Sequence, residues 1–260
     1  MRLIKVPFSK GGLGRTDGCE LAPDRIIDIL KNSNLTESGF RPNFQIDEIN
    51  IDQSNIETTN TNIFNKIRDT NIKSILLGGD HSITFAAVKA FAKNNPGAGI
   101  VMFDAHPDCE HNMDPPSHED FIRNLVENSI VPADRIILIG IRSWDGLEKE
   151  FLEAKNIRYF TMKQINMHSL SDVMDTVTET VRSWPSFYLS IDIDAADPAF
   201  APGTGYQEPG GLTSRELIYA IQRMKLLKNW QFADIVEVNP KKDINDSTSK
   251  LAAKLVVELS

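Results

Sequence analysis

The sequence has few cysteines, no long apolar run and no excess of positive charge, and each shortage excludes a class of protein. Cys19 and Cys109 are its two cysteines, too few for a disulfide framework or a zinc site built on thiolates. No apolar run approaches the roughly 20 residues of a membrane span, and the first residues lack the apolar core of a signal peptide. The net charge is −8, whereas a protein that binds phosphate backbones should be basic. We therefore expect a cytoplasmic protein that binds neither nucleic acid nor membranes.

Short apolar runs alternate with helical patterns along the 260 residues. The predicted strands, which are rich in β-branched or aromatic residues, are Leu3–Val6, Phe44–Ile49, Ser74–Leu77, Gly99–Phe103, Arg135–Ile139, Ile157–Phe160, Phe187–Ile191 and Phe232–Val236. The predicted helices, which carry apolar residues three and four apart, are Pro23–Leu30, Ile83–Lys93, Glu119–Glu127, Gly146–Lys155, Leu170–Arg182, Ser214–Met224 and Thr248–Leu259. This alternation predicts an α/β fold, in which helices cover both faces of a mostly parallel sheet of roughly eight strands. Because composition does not shift along the chain, residues 1–260 are expected to form a single domain.

Acidic and histidine residues follow three of the predicted strands, at the sheet edge where open α/β folds bind ligands. The candidate ligands are His81 in GGDHS, then Asp104, His106 and Asp108 in DAHPD, and Asp192 and Asp194 in SIDID. Side chains at positions i, i+2 and i+4 of an extended chain point the same way. Each of the last two clusters is therefore expected to converge on one point.

Four carboxylates gathered at one place repel one another strongly unless a cation lies between them, and this indicates a metal site. Mixed carboxylate and imidazole ligands suit manganese, with iron, cobalt or nickel as substitutes. The ligand set exceeds that of a closed zinc site, and its imidazoles argue against an all-oxygen calcium cage. Carboxylates that can bridge suggest two Mn²⁺ ions per chain, about 3.5–4 Å apart, which activate a shared water. For a single aspartate such as Asp197, a role in a turn is the alternative.

The ordered motifs GGDHS, DAHPD, SIDIDAADPAFAPGTG, GGLTSREL and EVNP resemble those of the ureohydrolase family of arginases and agmatinases. The resemblance runs from VPFSKG to LAAKLVVEL, and it implies an arginase-like three-layer α/β/α fold and a binuclear manganese hydrolase that releases urea from a guanidino compound. It implies that all six candidates are metal ligands, with Asp104 and Asp192 as the bridging pair. It also implies that Glu237 binds the guanidinium group and that His118 transfers protons.

The sequence departs from the family pattern beside His118, where Glu119 replaces a common glycine. Ala195 and Ala196 are also smaller than the bulky pair usual at these positions. We interpret this difference as an adjustment of side-chain packing. A histidine with the unperturbed pKa of roughly 6.5 is suited to protonate a leaving amine. The alternative for His118 is a solvent-exposed histidine that caps the predicted helix Glu119–Glu127.

The tail of the substrate is expected to contact the segment after Asp108 and the loop IRSWDGLE. We predict substrate contacts from Glu110, Asp145 and Thr204, and a cation–π contact from Trp144. These acids favour agmatine, which ends in an ammonium group, although a solvated loop is their alternative role. PAFAPGTG and LAAKLVVEL also look more like agmatinase, whereas PFSKG looks like arginase, so arginine is the alternative substrate. The absence of Arg and Lys from residues 109–117 disfavours formimidoylglutamate and guanidinobutyrate.

Two functions of other classes remain open. A related zinc deacetylase would need one ion and a pair of histidines, and a metal-binding scaffold or regulator without activity could share the fold. Family members are commonly trimers or hexamers. The resemblance therefore implies a homo-oligomer whose partner is a small cationic guanidino substrate.

Overall fold

Eight strands form one parallel sheet in the computed structural model, which describes residues 1–32 and 35–260. The strands are β1 (Arg2–Val6), β2 (Gln45–Glu48), β3 (Ser74–Gly78), β4 (Gly99–Phe103), β5 (Ile136–Ile141), β6 (Arg158–Thr161), β7 (Phe187–Asp192) and β8 (Trp230–Val236). Their order in the sheet is β2-β1-β3-β8-β7-β4-β5-β6, and all neighbouring strands run parallel. Each predicted strand overlaps one of these, and the predicted α/β fold is confirmed.

Helices connect the strands and cover both faces of the sheet. They are α1 (Ala22–Leu30), α2 (Ile56–Arg68), α3 (Ile83–Asn94), α4 (Phe121–Glu127), α5 (Gly146–Lys155), α6 (Met162–His168), α7 (Leu170–Arg182), α8 (Ser214–Lys225) and α9 (Ser247–Leu259). Every predicted helix is present, although α4 begins at Phe121 rather than at Glu119. Within the described ranges, no helix is both long enough and apolar enough to cross a bilayer.

Two apolar cores lie on opposite faces of the sheet. On β4, Val101 and Phe103 pack with side chains of α1, α7, α8 and α9, whereas Ile100 and Met102 pack with those of α2, α3, α4 and α5. Successive side chains of a strand point to opposite faces, which produces this division. Burial on both faces explains why the central strands are almost wholly apolar until they reach their carboxyl ends.

The carboxyl ends of the adjacent strands β3, β8, β7 and β4 carry the candidate site, and a close backbone contact joins two of them to β1. Gly79 N donates to Val6 O (3.0 Å), and Gly79 O accepts from Glu237 N (2.8 Å). A Cβ atom on residue 79 would lie 1.8 Å from Phe8 O, so this approach requires glycine. The contact places Glu237, which follows β8, beside the turn that carries His81.

Candidate metal centre and active site

The six predicted ligands lie together at the carboxyl ends of three strands. His81 is in the turn between β3 and α3, Asp104, His106 and Asp108 follow β4, and Asp192 and Asp194 lie at the end of β7 and in the 3-10 turn after it. All of them are buried except His106, which is partly exposed. The structure therefore brings together the residues that the sequence pattern predicts to converge.

His81 Nδ1 lies at the centre of a first group of carboxylates. It is 2.9 Å from Asp108 Oδ2, 3.2 Å from Asp104 Oδ2 and 3.3 Å from Asp192 Oδ2. His81 Nδ1, Asp104 Oδ2 and Asp108 Oδ2 are buried and have no hydrogen-bond partner among the residues that the structure describes. Buried polar atoms are almost always satisfied in native proteins. A divalent cation held between them would satisfy all three, so these residues fit a metal ion.

Asp104 also belongs to a second group, which His106 and Asp194 complete. His106 Nδ1 is 3.1 Å from Asp194 Oδ2 and 3.5 Å from Asp104 Oδ1. In each of the groups His81–Asp104–Asp192 and Asp104–His106–Asp194, the candidate ligand atoms lie within 4.8 Å of one another. Asp104 directs one carboxylate oxygen to each group, which is the arrangement of a bridging ligand. Asp192 offers Oδ2 to the first group, and its Oδ1 accepts from Asp194 N (2.8 Å).

The electrostatics of the cluster also fit a cation. Burial, together with the charge of Asp104, raises the pKa of Asp108 to about 7. Burial and the charges of Asp194 and Asp104 raise the pKa of Asp192 well above its ordinary value. Burial lowers the pKa of His81, but the neighbouring carboxylates outweigh this effect and raise it. Burial would raise the pKa of Asp104 as well, but its hydrogen bonds with His106 and His81 lower it. Asp108 and Asp192 thus retain protons more readily than an ordinary aspartate, and metal binding would displace those protons.

Asp108 and Glu237 have left-handed backbone conformations, with φ of 51° and 62°. Such conformations cost a non-glycine residue about 1–2 kcal/mol. Hydrogen bonds hold both: Ile122 N donates to Asp108 O (3.0 Å), and Glu237 N donates to Gly79 O (2.8 Å). Strained backbone of this kind concentrates at functional sites.

A buried polar network beneath the site orients His81. Asp234 on β8 accepts hydrogen bonds from Thr84 Oγ1 (2.6 Å), Tyr188 OH (2.9 Å) and Ser190 Oγ (2.7 Å). Because Ser190 donates its proton to Asp234, its oxygen accepts from His81 Nε2, which is 2.8 Å away. With Nε2 as the donor to Ser190, Nδ1 of His81 is the nitrogen that can bind a cation once the cation displaces its proton.

Replacement of Asp234 by alanine is expected to lower the free energy of unfolding by about 3 kcal/mol, because three buried hydroxyl groups would lose their acceptor. The midpoint of a urea unfolding curve measures this loss. Asp134→Ala, at an exposed position before β5, is the control and should change stability by less than about 0.5 kcal/mol. An unchanged midpoint for the Asp234 variant would show that the network does not support the fold.

The predicted substrate-binding residues line one cavity of about 330 Å³ that reaches the candidate ligands. They are Glu237, His118, Glu110, Trp144, Asp145 and Thr204. Two of them also have structural contacts. Trp144 packs edge-on against Tyr159, with ring centroids 5.2 Å apart, and Asp145 caps α5 by accepting from Glu148 N (2.8 Å).

His118 is buried between two carboxylates, so the alternative of an exposed histidine that caps a helix is wrong. Its Nδ1 lies 3.2 Å from Glu237 Oε1, and its Nε2 lies 3.6 Å from Glu119 Oε1. Burial lowers the pKa of His118, but the hydrogen bond and charge of Glu237 raise it to about 9. This value is above the roughly 6.5 of an unperturbed histidine, and the ring therefore carries a proton at neutral pH.

Tyr206 and Glu208 also line the cavity and were not predicted. Tyr206 OH donates to Glu119 Oε1 (2.7 Å), and its ring stacks on that of His118 with centroids 6.0 Å apart. Glu208 Oε1 lies 3.8 Å from His106 Nε2. Both residues are in an irregular loop after β7, where no helical or strand periodicity marks the side that faces a cavity.

Arg142, which follows β5, fixes this loop. Its Nη2 donates to Asp194 O (2.7 Å) and to Glu208 O (2.7 Å), and its Nη1 donates to Gly140 O (3.3 Å). Because the guanidinium group is directed to backbone carbonyls, Arg142 is not free to bind a carboxylate of a substrate.

Known proteins resemble most of this chain. Residues 1–260 match the model of the Arginase family. A formimidoylglutamase from Halalkalibacterium halodurans is 34% identical over 209 residues, which cover 79% of this chain and 65% of that protein. An arginase from Staphylococcus aureus is 34% identical over 197 residues, which cover 70% of this chain and 65% of that arginase. The crystal structure of formimidoylglutamase from Bacillus subtilis shares 27% identity and a TM-score of 0.93, over 99% of this chain and 85% of that one.

Proposed function

Since the chain belongs to the arginase family, we propose that it is a binuclear manganese hydrolase that cleaves agmatine to putrescine and urea. The negative charge of the cavity wall is the observation that favours agmatine over other guanidino compounds. Beyond the candidate ligands and the predicted guanidinium-binding glutamate, the wall presents Glu110, Glu119, Asp145, Glu148 and Glu208. No lysine or arginine occurs among the described residues that line it. Such a wall attracts a cationic tail and repels a carboxylate.

The two groups of ligand atoms that share Asp104 support a site for two ions rather than one. His81, Asp108 and Asp192 would hold one ion with Asp104, and His106 and Asp194 would hold the other with it. The mixture of oxygen and imidazole nitrogen ligands suits manganese. Divalent ions held by these residues would lower the pKa of a water toward neutrality and so supply the nucleophile for the guanidinium carbon. A deacetylase with a single ion would leave the second group without a role.

We assign the binding of the guanidinium group to Glu237. Its Oε1 accepts from His81 N (2.8 Å) and lies 3.2 Å from His118 Nδ1. Within the described residues, its Oε2 makes one long contact, with Cys19 Sγ at 3.9 Å. This oxygen is left to accept charge-assisted hydrogen bonds from a guanidinium group.

We assign protonation of the departing amine to His118. Its pKa of about 9 keeps the ring protonated at neutral pH. When the tetrahedral adduct breaks its carbon–nitrogen bond, that proton passes to the amine nitrogen, and the bond electrons leave with the amine. Glu237 stabilises the charged ring until then.

Arginine is the second candidate substrate, because an exposed guanidinium group lies near the cavity. The Arg15 guanidinium lies over the Tyr206 ring, 5.3 Å from its centroid, and Arg15 is exposed. It could bind the carboxylate of arginine or of a guanidino acid. The names of the two relatives, arginase and formimidoylglutamase, do not single out agmatine.

Urea release from manganese-loaded protein tests the proposal. Agmatine should be hydrolysed with a kcat/KM at least about tenfold above those of arginine, 4-guanidinobutyrate and 3-guanidinopropionate, since tenfold corresponds to about 1.4 kcal/mol of discrimination. Formamide release from formimidoylglutamate is measured in parallel. Preference for any substrate with a carboxylate tail would overturn the choice of agmatine, and lack of release from all of them would favour a scaffold or regulator.

A further inference from the structure

We propose that Glu119 binds the ammonium group at the far end of the substrate and that Tyr206 holds Glu119 in position for this contact. The inference rests on the proposed function and assigns a role to the residue at which the chain departs from its family. Glu119 lines the cavity, and its side chain is 28% exposed, so it is accessible to a ligand.

Two carboxylates flank one imidazole in this cavity. Glu237 Oε1 is 3.2 Å from Nδ1 of His118, and Glu119 Oε1 is 3.6 Å from Nε2 of the same ring. The anionic groups therefore lie at opposite edges of His118. A ligand with a guanidinium group at one end and an ammonium group at the other, joined by a short aliphatic chain, complements this arrangement.

Tyr206 fixes Glu119 from the side. Its hydroxyl donates to Glu119 Oε1 (2.7 Å), while its ring stacks on His118 at an interplanar angle of 24°. The hydrogen bond occupies one oxygen of Glu119, and the other can accept from an ammonium group. Because the Tyr206 ring also contacts His118, the pair keeps the carboxylate at a set distance from the reacting end of the cavity.

A second carboxylate lies beside Glu119 on the cavity wall, in addition to the His118 ring at 3.6 Å. Glu110 is joined to it through a backbone hydrogen bond, Glu110 N to Glu119 O at 3.0 Å, and also lines the cavity. Because the side chains of Glu110 and Glu119 line the same cavity, their negative charges repel each other. An ammonium group would relieve this repulsion, whereas a carboxylate tail would increase it.

A matched pair of substrates tests the inference, because 1-butylguanidine is agmatine without its amine. In Glu119→Gln, kcat/KM for agmatine should fall about 10- to 100-fold, the effect of losing a charge-assisted hydrogen bond. The value for 1-butylguanidine should change less than about threefold, within the usual effect of a surface substitution. Glu150→Gln, which removes a charge from an exposed position on α5, should leave the ratio of the two substrates unchanged.

Tyr206→Phe removes the hydroxyl that bonds to Glu119, and so tests whether Tyr206 positions Glu119 without taking part in catalysis. It should raise KM for agmatine several-fold while kcat stays near the wild-type value. Equal losses with both substrates in Glu119→Gln would mean that Glu119 acts through His118, and the inference would be overturned.

Calorimetric binding of both compounds to the manganese-loaded protein gives a readout that does not need turnover. If the wild type releases no urea from either compound, the proposed function fails, and binding then decides the role of Glu119. Weaker binding of agmatine alone to Glu119→Gln would support the inference. Equal affinity of the variant and the wild type for agmatine would overturn it.

Discussion

Replacement of Asp104 by asparagine is expected to release metal and to lower kcat/KM by about 10³-fold or more, because activation of water depends on both ions. Asp104 directs Oδ2 to the group around His81 and Oδ1 to the group around His106. An asparagine keeps one oxygen, but its amide nitrogen cannot replace the second anionic ligand. Bound manganese should fall from about two ions to fewer than one per chain, since each group loses charge.

Elemental analysis after dialysis, together with urea release at saturating manganese, measures both effects of this variant. Asp134→Asn is the matched control, because Asp134 is exposed and lies before β5, at the opposite edge of the sheet. It should keep wild-type metal content and activity. Circular dichroism establishes that both variants are folded. Wild-type metal content and turnover in Asp104→Asn would refute the bridging role.

The strands and the positions of the ligands could be predicted because one physical rule governs both. Strands buried on both faces are largely apolar, so a cluster of polar residues, such as the one that begins at Asp104 or at Asp192, marks the point where a strand leaves the core. In a parallel sheet these points share one edge. The helices α2 and α6 were missed. In α2, Thr and Asn residues weaken the apolar period, and its buried side chains are Thr59, Ile63 and Ile67. The short helix α6 buries Ile165 alone, so it has no apolar period to detect.

Contacts between loops could not be predicted in the same way. Glu119 and Tyr206 are 87 residues apart, and their hydrogen bond depends on the path of an irregular loop that Arg142 holds through backbone carbonyls. The pKa of His118 also depends on such a contact, since Glu237 comes to it from another strand end. The sequence shows which residue types these loops contain, but it does not show which side chains come into contact in the fold.

Replacement of Glu237 by glutamine is expected to leave the metal content unchanged and to lower kcat/KM by about 10²- to 10³-fold, mainly through KM, because a charged partner of the guanidinium group is lost. The amide oxygen can still accept from His81 N, which preserves the turn that carries His81. Glu179→Gln, at an exposed position on α7, is the control and should behave as the wild type. Manganese content and steady-state kinetics distinguish this outcome from that of Asp104→Asn.

The same variant should shift the alkaline limb of the pH profile to lower pH. Glu237 is the main group that raises the pKa of His118 to about 9, and a proton on His118 is needed at the leaving amine. Activity of the wild type should therefore be lost as the pH rises through about 9, and activity of Glu237→Gln should be lost at a lower pH. If the variant instead released manganese and kept the wild-type limb, Glu237 would support the metal cluster. Substrate binding and metal binding would then not be separable at this residue.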